Sequence, residues 1–296
     1  MICGPTGAGK SALALPLAES AGAAILSADS RQVYRGFDIG TAKPTAAERA
    51  RVAHFGIDVA EPTDRYSAAA WAEEAGRAAD MLAGPPPLVV GGTGFYLRAL
   101  FAPLFAEPRL DPGRRAAVQA ELEPLPTAEL RRRVELADPP RAHLGRAQLL
   151  RALEVAALTG RRLSAWHAEA ARPARFRPRY CVVDPGAALA ARIEARADAM
   201  LGGGWPEEVA ALDGTVPDDA PAWNAAGYEA IRAMVRGEIG RAAARERVIV
   251  ETRQYAKRQR TWFRHQLGDA PVARIDPTAP GVDRALAAWW KEGTTS

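Results

Sequence analysis

Residues 4–11 constrain the fold more than any other part of this 296-residue chain. Their sequence, Gly-Pro-Thr-Gly-Ala-Gly-Lys-Ser, matches the pattern G-x-x-x-x-G-K-[S/T] in full. In this pattern the glycines let backbone N–H groups turn inward around a phosphate, Lys10 reaches the terminal phosphate oxygens, and the Ser11 hydroxyl is the usual Mg²⁺ ligand. The helix that follows points its positive N-terminus at the anion. The predicted phosphate-binding residues are Gly4, Pro5, Thr6, Gly7, Ala8, Gly9, Lys10 and Ser11. The alternative is a glycine-rich loop without a ligand.

Short β-prone runs alternate with helical patterns along most of the chain. The runs lie at residues 24–26, 88–90, 180–183 and 272–275. Between the first two, residues 67–83 form an amphipathic pattern that begins with a serine suited to cap a helix and stops at a Gly-Pro-Pro-Pro run. Strands separated by helices predict a mostly parallel sheet. Together with the phosphate-binding pattern, this predicts an α/β fold class: a P-loop NTPase-like parallel sheet flanked by helices.

The middle of the chain differs from this alternation. Its helical patterns cover residues 112–122, 127–137 and 146–159, without a convincing strand. We therefore predict an all-helical insertion domain at residues 108–179. The P-loop α/β core with C-terminal helices is then formed by residues 1–107 and 180–296.

Composition excludes several classes of protein. Hydrophobic residues make up 48% of the chain and charged residues 25%, which is ordinary for a folded globular protein. No run of about 18 uncharged apolar residues occurs, so we expect no membrane partner, and we expect no signal peptide. The two cysteines, Cys3 and Cys181, are too few for a disulfide framework, which favours the cytoplasm. Only three residues precede Gly4, so we expect the first strand to begin before residue 1.

Basic residues are clustered, although the formal net charge is only +4. Residues 141–179 hold nine arginines and two acids, and residues 253–264 hold four arginines, one lysine and no acid. Each cluster alone is compatible with a solvated helix face. Two such clusters in one chain favour a phosphate-rich partner.

Asp29 follows the second β-prone run, at the carboxyl end where ligands bind in sheets of this kind. It is therefore expected near the phosphate, where it can act as a general base on an incoming nucleophile. The alternative is a turn or helix cap built from Asp29 and Ser30. A second glycine-rich turn, residues 91–94, follows the next β-prone run and is expected on the same edge of the sheet. The alternative interpretation is a strand-to-helix turn that takes no part in the chemistry.

A series of ordered motifs runs nearly from end to end. They are GPTGAGKS (4–11), ADSRQVYRGFDIGTAKP (28–44), YSAAAW (66–71), VVGGTGFYLRAL (89–100), RALEV (151–155), RIEARADAM (192–200), GWPEEVAAL (204–212), GYEAI (227–231) and TRQYAKRQRTWFR (252–264). In this order they resemble the tRNA dimethylallyltransferases, the isopentenyl-diphosphate:tRNA transferase family. The DIGTAKP and TRQYAKRQRTW stretches are far more specific than the phosphate-binding pattern.

The resemblance implies that the dimethylallyl group of dimethylallyl diphosphate is transferred to N6 of an adenosine. That adenosine lies on the 3′ side of the anticodon, so the implied partner is a tRNA anticodon stem-loop. Breaking the allylic C–O bond leaves diphosphate, so stabilising its growing negative charge is the main catalytic task. Loop amides, Lys10 and Mg²⁺ held through Ser11 would do this. A monomer is the default oligomeric state.

The resemblance also implies roles for individual residues. Arg196, the second arginine of RIEAR, would contact the diphosphate together with the loop at residues 4–11. Asp29, Lys10 and Thr93 would be catalytic, with Asp29 accepting the proton of the adenine amine. The residues that would contact tRNA are Asp29, Ser30, Arg31, Gln32, Thr93, Arg115, Gln148 and Arg151. Gln148 lies near the position where relatives have an arginine before RALEV.

Two other functions compete with this interpretation. A small-molecule P-loop kinase would bind ATP and use Asp29 to activate a hydroxyl group, but it gives no reason for an arginine-rich helical insertion. A non-catalytic RNA-binding protein gives no reason for an intact Lys10-Ser11 pair beside Asp29. We therefore prefer the RNA prenyltransferase.

Overall fold

A computed structural model describes residues 1–101, 110–169 and 176–294 of the chain. It separates into two compact units, of which one consists of Met1–Phe101 with Phe176–Ser296 and the other of Ala102–Arg175. The domain boundary predicted between residues 107 and 108 lies outside the described residues.

Six strands of the described chain form one parallel sheet in the first unit. They are β1 (Ile2–Cys3), β2 (Ile25–Ser27), β3 (His54–Phe55), β4 (Leu88–Gly91), β5 (Tyr180–Val183) and β6 (Val272–Ile275), in the spatial order β3-β2-β4-β1-β5-β6. The four β-prone runs are confirmed as β2, β4, β5 and β6. β3 was not predicted, because two residues are too few to show a strand pattern.

The helices of the same unit connect and cover these strands. They are α1 (Lys10–Ala21), α2 (Ala46–Arg51), α3 (Ala68–Met81), α4 (Gly94–Phe101), α9 (Leu189–Gly202), α10 (Trp205–Leu212), α11 (Tyr228–Val235), α12 (Arg241–His265) and α13 (Val282–Thr294). Ser67 caps α3 as predicted, since its side chain accepts a hydrogen bond from the Ala70 N–H at 3.1 Å. The parallel sheet and its helices confirm the P-loop α/β fold class.

The core of this unit lies on the sheet. Side chains from the strands, from α1 and from α13 pack together there, among them Ile2, Ala14, Leu17, Ile25, Leu88, Val90, Cys181, Val183, Leu286 and Trp289. From the other direction, the Trp71 indole N–H of α3 donates to the Ser27 carbonyl of β2 at 2.9 Å. The strands are therefore held between buried helix faces, and their carboxyl ends have a defined position.

The second unit is all-helical in its described part. Its helices are α5 (Pro112–Leu122), α6 (Thr127–Ala137), α7 (Arg146–Thr159) and α8 (Leu163–Glu169). They enclose a small core of their own, formed by Leu122, Leu130, Val134, Leu149, Ala152 and Leu153. Gly160 ends α7 at φ 68°, the left-handed conformation that favours glycine. The three helical patterns predicted for this region are thus confirmed.

The parallel register brings three turns to one edge of the sheet. Cys3 pairs with Gly91 across β1 and β4, and Ser27 pairs with Val90 across β2 and β4. The chain therefore leaves β1, β2 and β4 at neighbouring points, which is where ligands bind in parallel sheets.

No helix among residues 1–101, 110–169 and 176–294 is long and apolar enough to span a bilayer.

Candidate active site

The loop between β1 and α1 has the backbone of an anion cradle. Gly4, Gly7 and Gly9 adopt φ values of 144°, 78° and 93°, which side chains disfavour. A Cβ at Gly4 would lie 2.2 Å from the carbonyl oxygen of Val183 in β5, so only glycine fits there. The Lys10 ammonium group folds back over the loop and donates to the Pro5 carbonyl at 2.8 Å.

Two arginines of α9 add positive charge beside this loop. Arg192 Nε donates to the Gly7 carbonyl at 3.0 Å, and both Arg192 and Arg196 line the cavity at the loop. Burial lowers the pKa of Lys10 to about 8 and also lowers the pKa of Arg196, while Asp29 opposes both effects. These cations have lost solvation and are stabilised by a nearby anion. The site is therefore suited to a diphosphate.

Asp29 lies on the wall of the same cavity, which has a volume of about 710 Å³. One carboxylate oxygen, Oδ1, accepts a hydrogen bond from the Arg31 N–H at 2.9 Å. The turn that competed with the functional interpretation is therefore present, and it coexists with a position inside the cavity. Asp29 and Arg196 also line a smaller pocket of about 60 Å³, whose wall includes Arg31 and Tyr255.

Thr93, in the turn after β4, lies against the Asp29 segment. Its hydroxyl oxygen accepts from the Ser30 N–H at 3.0 Å and lies 3.3 Å from the Ser30 hydroxyl. Tyr255 of α12 lies close to the Thr93 side chain, and burial raises the pKa of Tyr255 to about 12. The structure therefore brings Asp29, Ser30 and Thr93 together as the sequence predicts. It adds Tyr255, which belongs to the motif at residues 252–264 and was not predicted as a site residue.

Gln32 and Arg31, which follow Asp29 in the chain, each line one of the two pockets. Gln32 lines the larger cavity, and its amide is engaged on both sides: Oε1 accepts from the Ser27 hydroxyl at 2.8 Å, and Nε2 donates to the Ala42 carbonyl at 2.9 Å. Arg31 Nη1 donates to the Pro221 carbonyl at 3.4 Å. Gln32 thus shapes the segment after β2 as well as lining the cavity.

A buried lysine closes the DIGTAKP segment. Lys43, whose side chain is 2% exposed, donates to the Asp38 carboxylate at 2.6 Å and also contacts the Asp58 carboxylate and the Tyr34 carbonyl. Arg49 pairs with the other oxygen of Asp58 at 2.7 Å. Burial raises the pKa of Asp58, but the hydrogen bonds from Lys43 and Arg49 outweigh it and lower the pKa. This ion cluster ties the DIGTAKP segment to Arg49 and Asp58, and it was not predicted from the sequence.

The sequence-predicted tRNA residues of the helical unit contact one buried acid. Arg115 of α5 pairs with Glu154 at 2.7 Å, and Arg151 of α7 pairs with the same carboxylate. Glu154 itself is nearly buried, with a side-chain exposure of 4%. Gln148 instead accepts the Gly145 N–H at 3.0 Å and so caps the start of α7. The structure therefore brings Arg115 and Arg151 together and gives Gln148 a local role.

Acids from elsewhere in the chain neutralise part of the basic cluster on α12. Arg253 pairs with Glu194, and Arg260 pairs with Asp184, where Nε lies 2.9 Å from Oδ2. Both acids are far away in sequence, so the absence of acids within residues 253–264 overstated the free charge there. Lys257, Arg258 and Arg264 are exposed on the same helix. The other basic cluster includes Arg172 and Arg175, which lie outside the described residues.

The donor set of the loop suits Mg²⁺. Ser11 is exposed in the first turn of α1 and lines the cavity beside Lys10 and Asp29. Its hydroxyl is a hard oxygen ligand, and Mg²⁺ commonly takes one or two protein oxygens while phosphates and water supply the rest. In the described part of the chain no group of three or more His, Cys, Asp or Glu side chains forms a metal site. A Mg²⁺ bound with a diphosphate therefore fits these residues.

The fold and site together define a P-loop protein with an anion cradle and an adjacent carboxylate. The family model described as "IPP transferase" matches residues 32–266, and the model "Isopentenyl transferase" matches residues 1–56. The chain belongs to the IPP transferase family, which confirms the resemblance seen in its motifs.

Curated relatives agree with this assignment. The tRNA dimethylallyltransferase of Deinococcus radiodurans is 42% identical over 90% of this chain and 90% of its own length. The tRNA dimethylallyltransferase of Halorhodospira halophila is 44% identical over 90% of this chain and 89% of its own length.

Solved structures show the same architecture. A tRNA isopentenylpyrophosphate transferase from Staphylococcus epidermidis is 28% identical, with a TM-score of 0.66, and the match covers 99% of this chain and 98% of that one. A eukaryotic dimethylallyltransferase acting on tRNA shares the fold with a TM-score of 0.79 and is 24% identical. The match covers 97% of this chain and 76% of that one.

Proposed function

We propose that this protein transfers the dimethylallyl group from dimethylallyl diphosphate to N6 of the adenosine 3′-adjacent to the anticodon in tRNA, releasing diphosphate. The observation that carries the proposal is the position of Asp29. Its side chain lines the cavity that holds the phosphate cradle, and it also lines the smaller pocket beside Arg31 and Tyr255. Asp29 can therefore reach a nucleophile that approaches a donor held in the larger cavity.

The leaving group is diphosphate, and the cradle supports its departure. In the reaction the allylic C1–O bond breaks, and its electron pair stays on the diphosphate oxygen. Lys10, Arg196 and the loop N–H groups other than those of Thr6 and Ala8, which bond to Gln259 and Pro5, provide positive charge where this negative charge grows. Mg²⁺ held through Ser11 would supply further charge neutralisation when bound. Apolar lining by Ile39, Ile57 and Met200 suits the hydrocarbon group of the donor.

The acceptor is the exocyclic amine of adenine, whose lone pair is delocalised into the ring. As the new C1–N6 bond forms, the amine must lose a proton, and the Asp29 carboxylate accepts it. The Thr93 hydroxyl, which accepts a hydrogen bond from the Ser30 N–H, holds the turn that carries Asp29, and Tyr255 lies close to Thr93. The base must leave the stack of the anticodon loop to reach this site, which costs a few kcal/mol and less in a loop than in a duplex.

Affinity for tRNA comes from phosphate contacts. Exposed Lys257, Arg258 and Arg264 of α12 support a basic face near the core, and Arg115 and Arg151 support one in the helical unit. On this proposal the enzyme acts in the cytoplasm, where tRNA is modified, and as a monomer, since one chain supplies all the groups named above.

Incubation of the purified protein with unmodified tRNA, Mg²⁺ and dimethylallyl diphosphate labelled in the prenyl group tests this function. We expect label in the RNA, at one adenosine in the anticodon loop after nuclease digestion. RNA that stays unlabelled, with ATP-dependent phosphorylation of a small molecule in a parallel assay, would establish the kinase instead.

A further inference from the structure

One buried glutamine connects the two turns that form the candidate site. Gln259 lies on α12 and is 6% exposed. Its Oε1 accepts a hydrogen bond from the Thr6 N–H at 2.7 Å, and its Nε2 donates to the Gly92 carbonyl at 2.9 Å. The hydrogen-bonding roles of the two backbone groups cannot change, because an N–H only donates and a carbonyl only accepts. A side-chain amide of this length is therefore the group that satisfies both.

The fit around this amide is close. A Cβ at Gly92 would lie 2.2 Å from Gln259 Nε2 and 3.0 Å from the Gly4 carbonyl oxygen. The second glycine-rich turn therefore packs closely beside the phosphate-binding loop, and the Gln259 amide bonds to both. An added Cβ here would displace the glutamine amide and would press on the Gly4 carbonyl.

The two turns carry different parts of the chemistry. Thr6 belongs to the cradle for the diphosphate. Gly92 immediately precedes Thr93, whose hydroxyl accepts from the Ser30 N–H beside Asp29 at 3.0 Å. Gln259 therefore stands between the group that holds the donor and the group that takes the proton, although the glutamine itself is remote in sequence from both.

We propose that Gln259 is a positioning residue that fixes the distance between the phosphate cradle and the Asp29–Thr93 side of the site. The proposal rests on the proposed transfer reaction. Without the amide, the Thr6 N–H and the Gly92 carbonyl lose their partner, and the two turns can shift relative to each other. A displacement of about 1 Å between reacting groups costs about 100-fold in rate. The effect falls on turnover, because each turn still binds its own substrate.

Two variants remove the link in different ways. Gln259→Met keeps the size of the side chain and loses both hydrogen bonds. Gln259→Glu keeps an acceptor for the Thr6 N–H but sets a carboxylate oxygen against the Gly92 carbonyl. The matched control is Gln254→Met, an exposed glutamine on the same helix. We expect kcat to fall about 10- to 100-fold in both Gln259 variants, with KM for each substrate within about threefold of wild type. The control keeps the wild-type rate.

A double-mutant cycle separates positioning from stability. In an Asp29→Asn background the proton acceptor is gone, so Gln259→Met should reduce the remaining rate by less than about threefold. Full additivity in the cycle, wild-type kcat in Gln259→Met, or unfolding of both Gln259 variants in circular dichroism would each overturn the proposal. Absence of label transfer by the wild-type protein would instead refute the proposed function. Binding of inorganic diphosphate, which needs no transfer, still reports in that case: we expect wild-type affinity in Gln259→Met, and loss of binding contradicts the proposal.

Discussion

Lys43 and Asp58 form an ion pair in which the lysine side chain is only 2% exposed. The pair closes the segment after β2, because Lys43 also contacts Asp38 and the Tyr34 carbonyl within that segment. This segment leads away from Asp29, so the ion cluster supports the part of the site that carries the proposed base.

Replacing Lys43 by methionine removes the buried cation, while Asp58 keeps its pairing with Arg49 at 2.7 Å and Asp38 is 58% exposed. No carboxylate is left both buried and unpaired, so the loss is that of hydrogen bonds to charged groups, about 1.5 to 3 kcal/mol of unfolding free energy. We expect a loss of this size for Lys43→Met in urea denaturation. Lys257→Met, at an exposed lysine, should change stability by less than about 0.5 kcal/mol. Equal effects of the two substitutions would contradict a structural role for the Lys43 cluster.

The substitution Asp29→Asn distinguishes the role of Asp29 in the turn from its proposed role as the general base. Asparagine keeps an oxygen that accepts the Arg31 N–H, as Asp29 Oδ1 does at 2.9 Å, but it cannot take up a proton at neutral pH. We expect turnover to fall by about 10²- to 10⁴-fold while the affinity for tRNA stays within about twofold. Single-turnover transfer of labelled prenyl group and filter binding of tRNA measure the two quantities. Wild-type turnover would remove Asp29 as the base.

Diphosphate affinity should depend on pH through Lys10. Burial lowers the pKa of Lys10 from 10.5 to about 8, and a bound anion raises it again. Below pH 8 the free protein already holds the proton. Above pH 8 binding must take the proton up, so affinity should fall by up to about tenfold per pH unit. Calorimetric titration with inorganic diphosphate from pH 6.5 to 9.5 measures this.

Lys10→Arg provides the control for that titration, since arginine keeps its charge throughout the range. The ionisation of diphosphate itself contributes equally in both proteins. The difference between the two curves should therefore begin near pH 8. Parallel curves would show that Lys10 does not titrate there.

Arg115 should contribute one phosphate contact to tRNA binding. Each contact contributes about 0.7 to 0.9 to the slope of log affinity against log salt concentration. We expect Arg115→Ala to reduce the slope by about this amount. Glu154→Gln removes the acid that holds Arg115 and Arg151, and should weaken binding without a loss of slope, because both arginines remain. An unchanged slope in Arg115→Ala would exclude Arg115 from the RNA surface.

Local patterns predicted the parts of the site that depend on neighbouring residues. The loop at residues 4–11 is defined by its own glycines, and Asp29 follows from its place after a strand. Helix caps such as Ser67 are likewise local. Parallel strands end at one edge, so the meeting of Asp29 and Thr93 could also be expected before any coordinates were known.

Contacts between distant residues were not predictable in the same way. Gln259 bonds to Thr6, 253 positions away, and Arg260 pairs with Asp184, 76 positions away. Neither partner is visible in a local window, because the contact depends on how α12 packs against the sheet. Tyr255 and Gln259 were both inside a highly specific motif, so the available signal was the motif itself, without the geometry that explains it.

The order of strands in the sheet has a consequence for synthesis of the chain on the ribosome. β1 lies between β4 and β5, and the Gly4 backbone rests against the Val183 carbonyl of β5. The first strand therefore lacks one neighbour until more than 180 residues, including the whole helical unit, have emerged. The nascent protein can form the helical unit earlier, but β1 and the phosphate-binding loop after it gain their second neighbouring strand only once β5 has emerged.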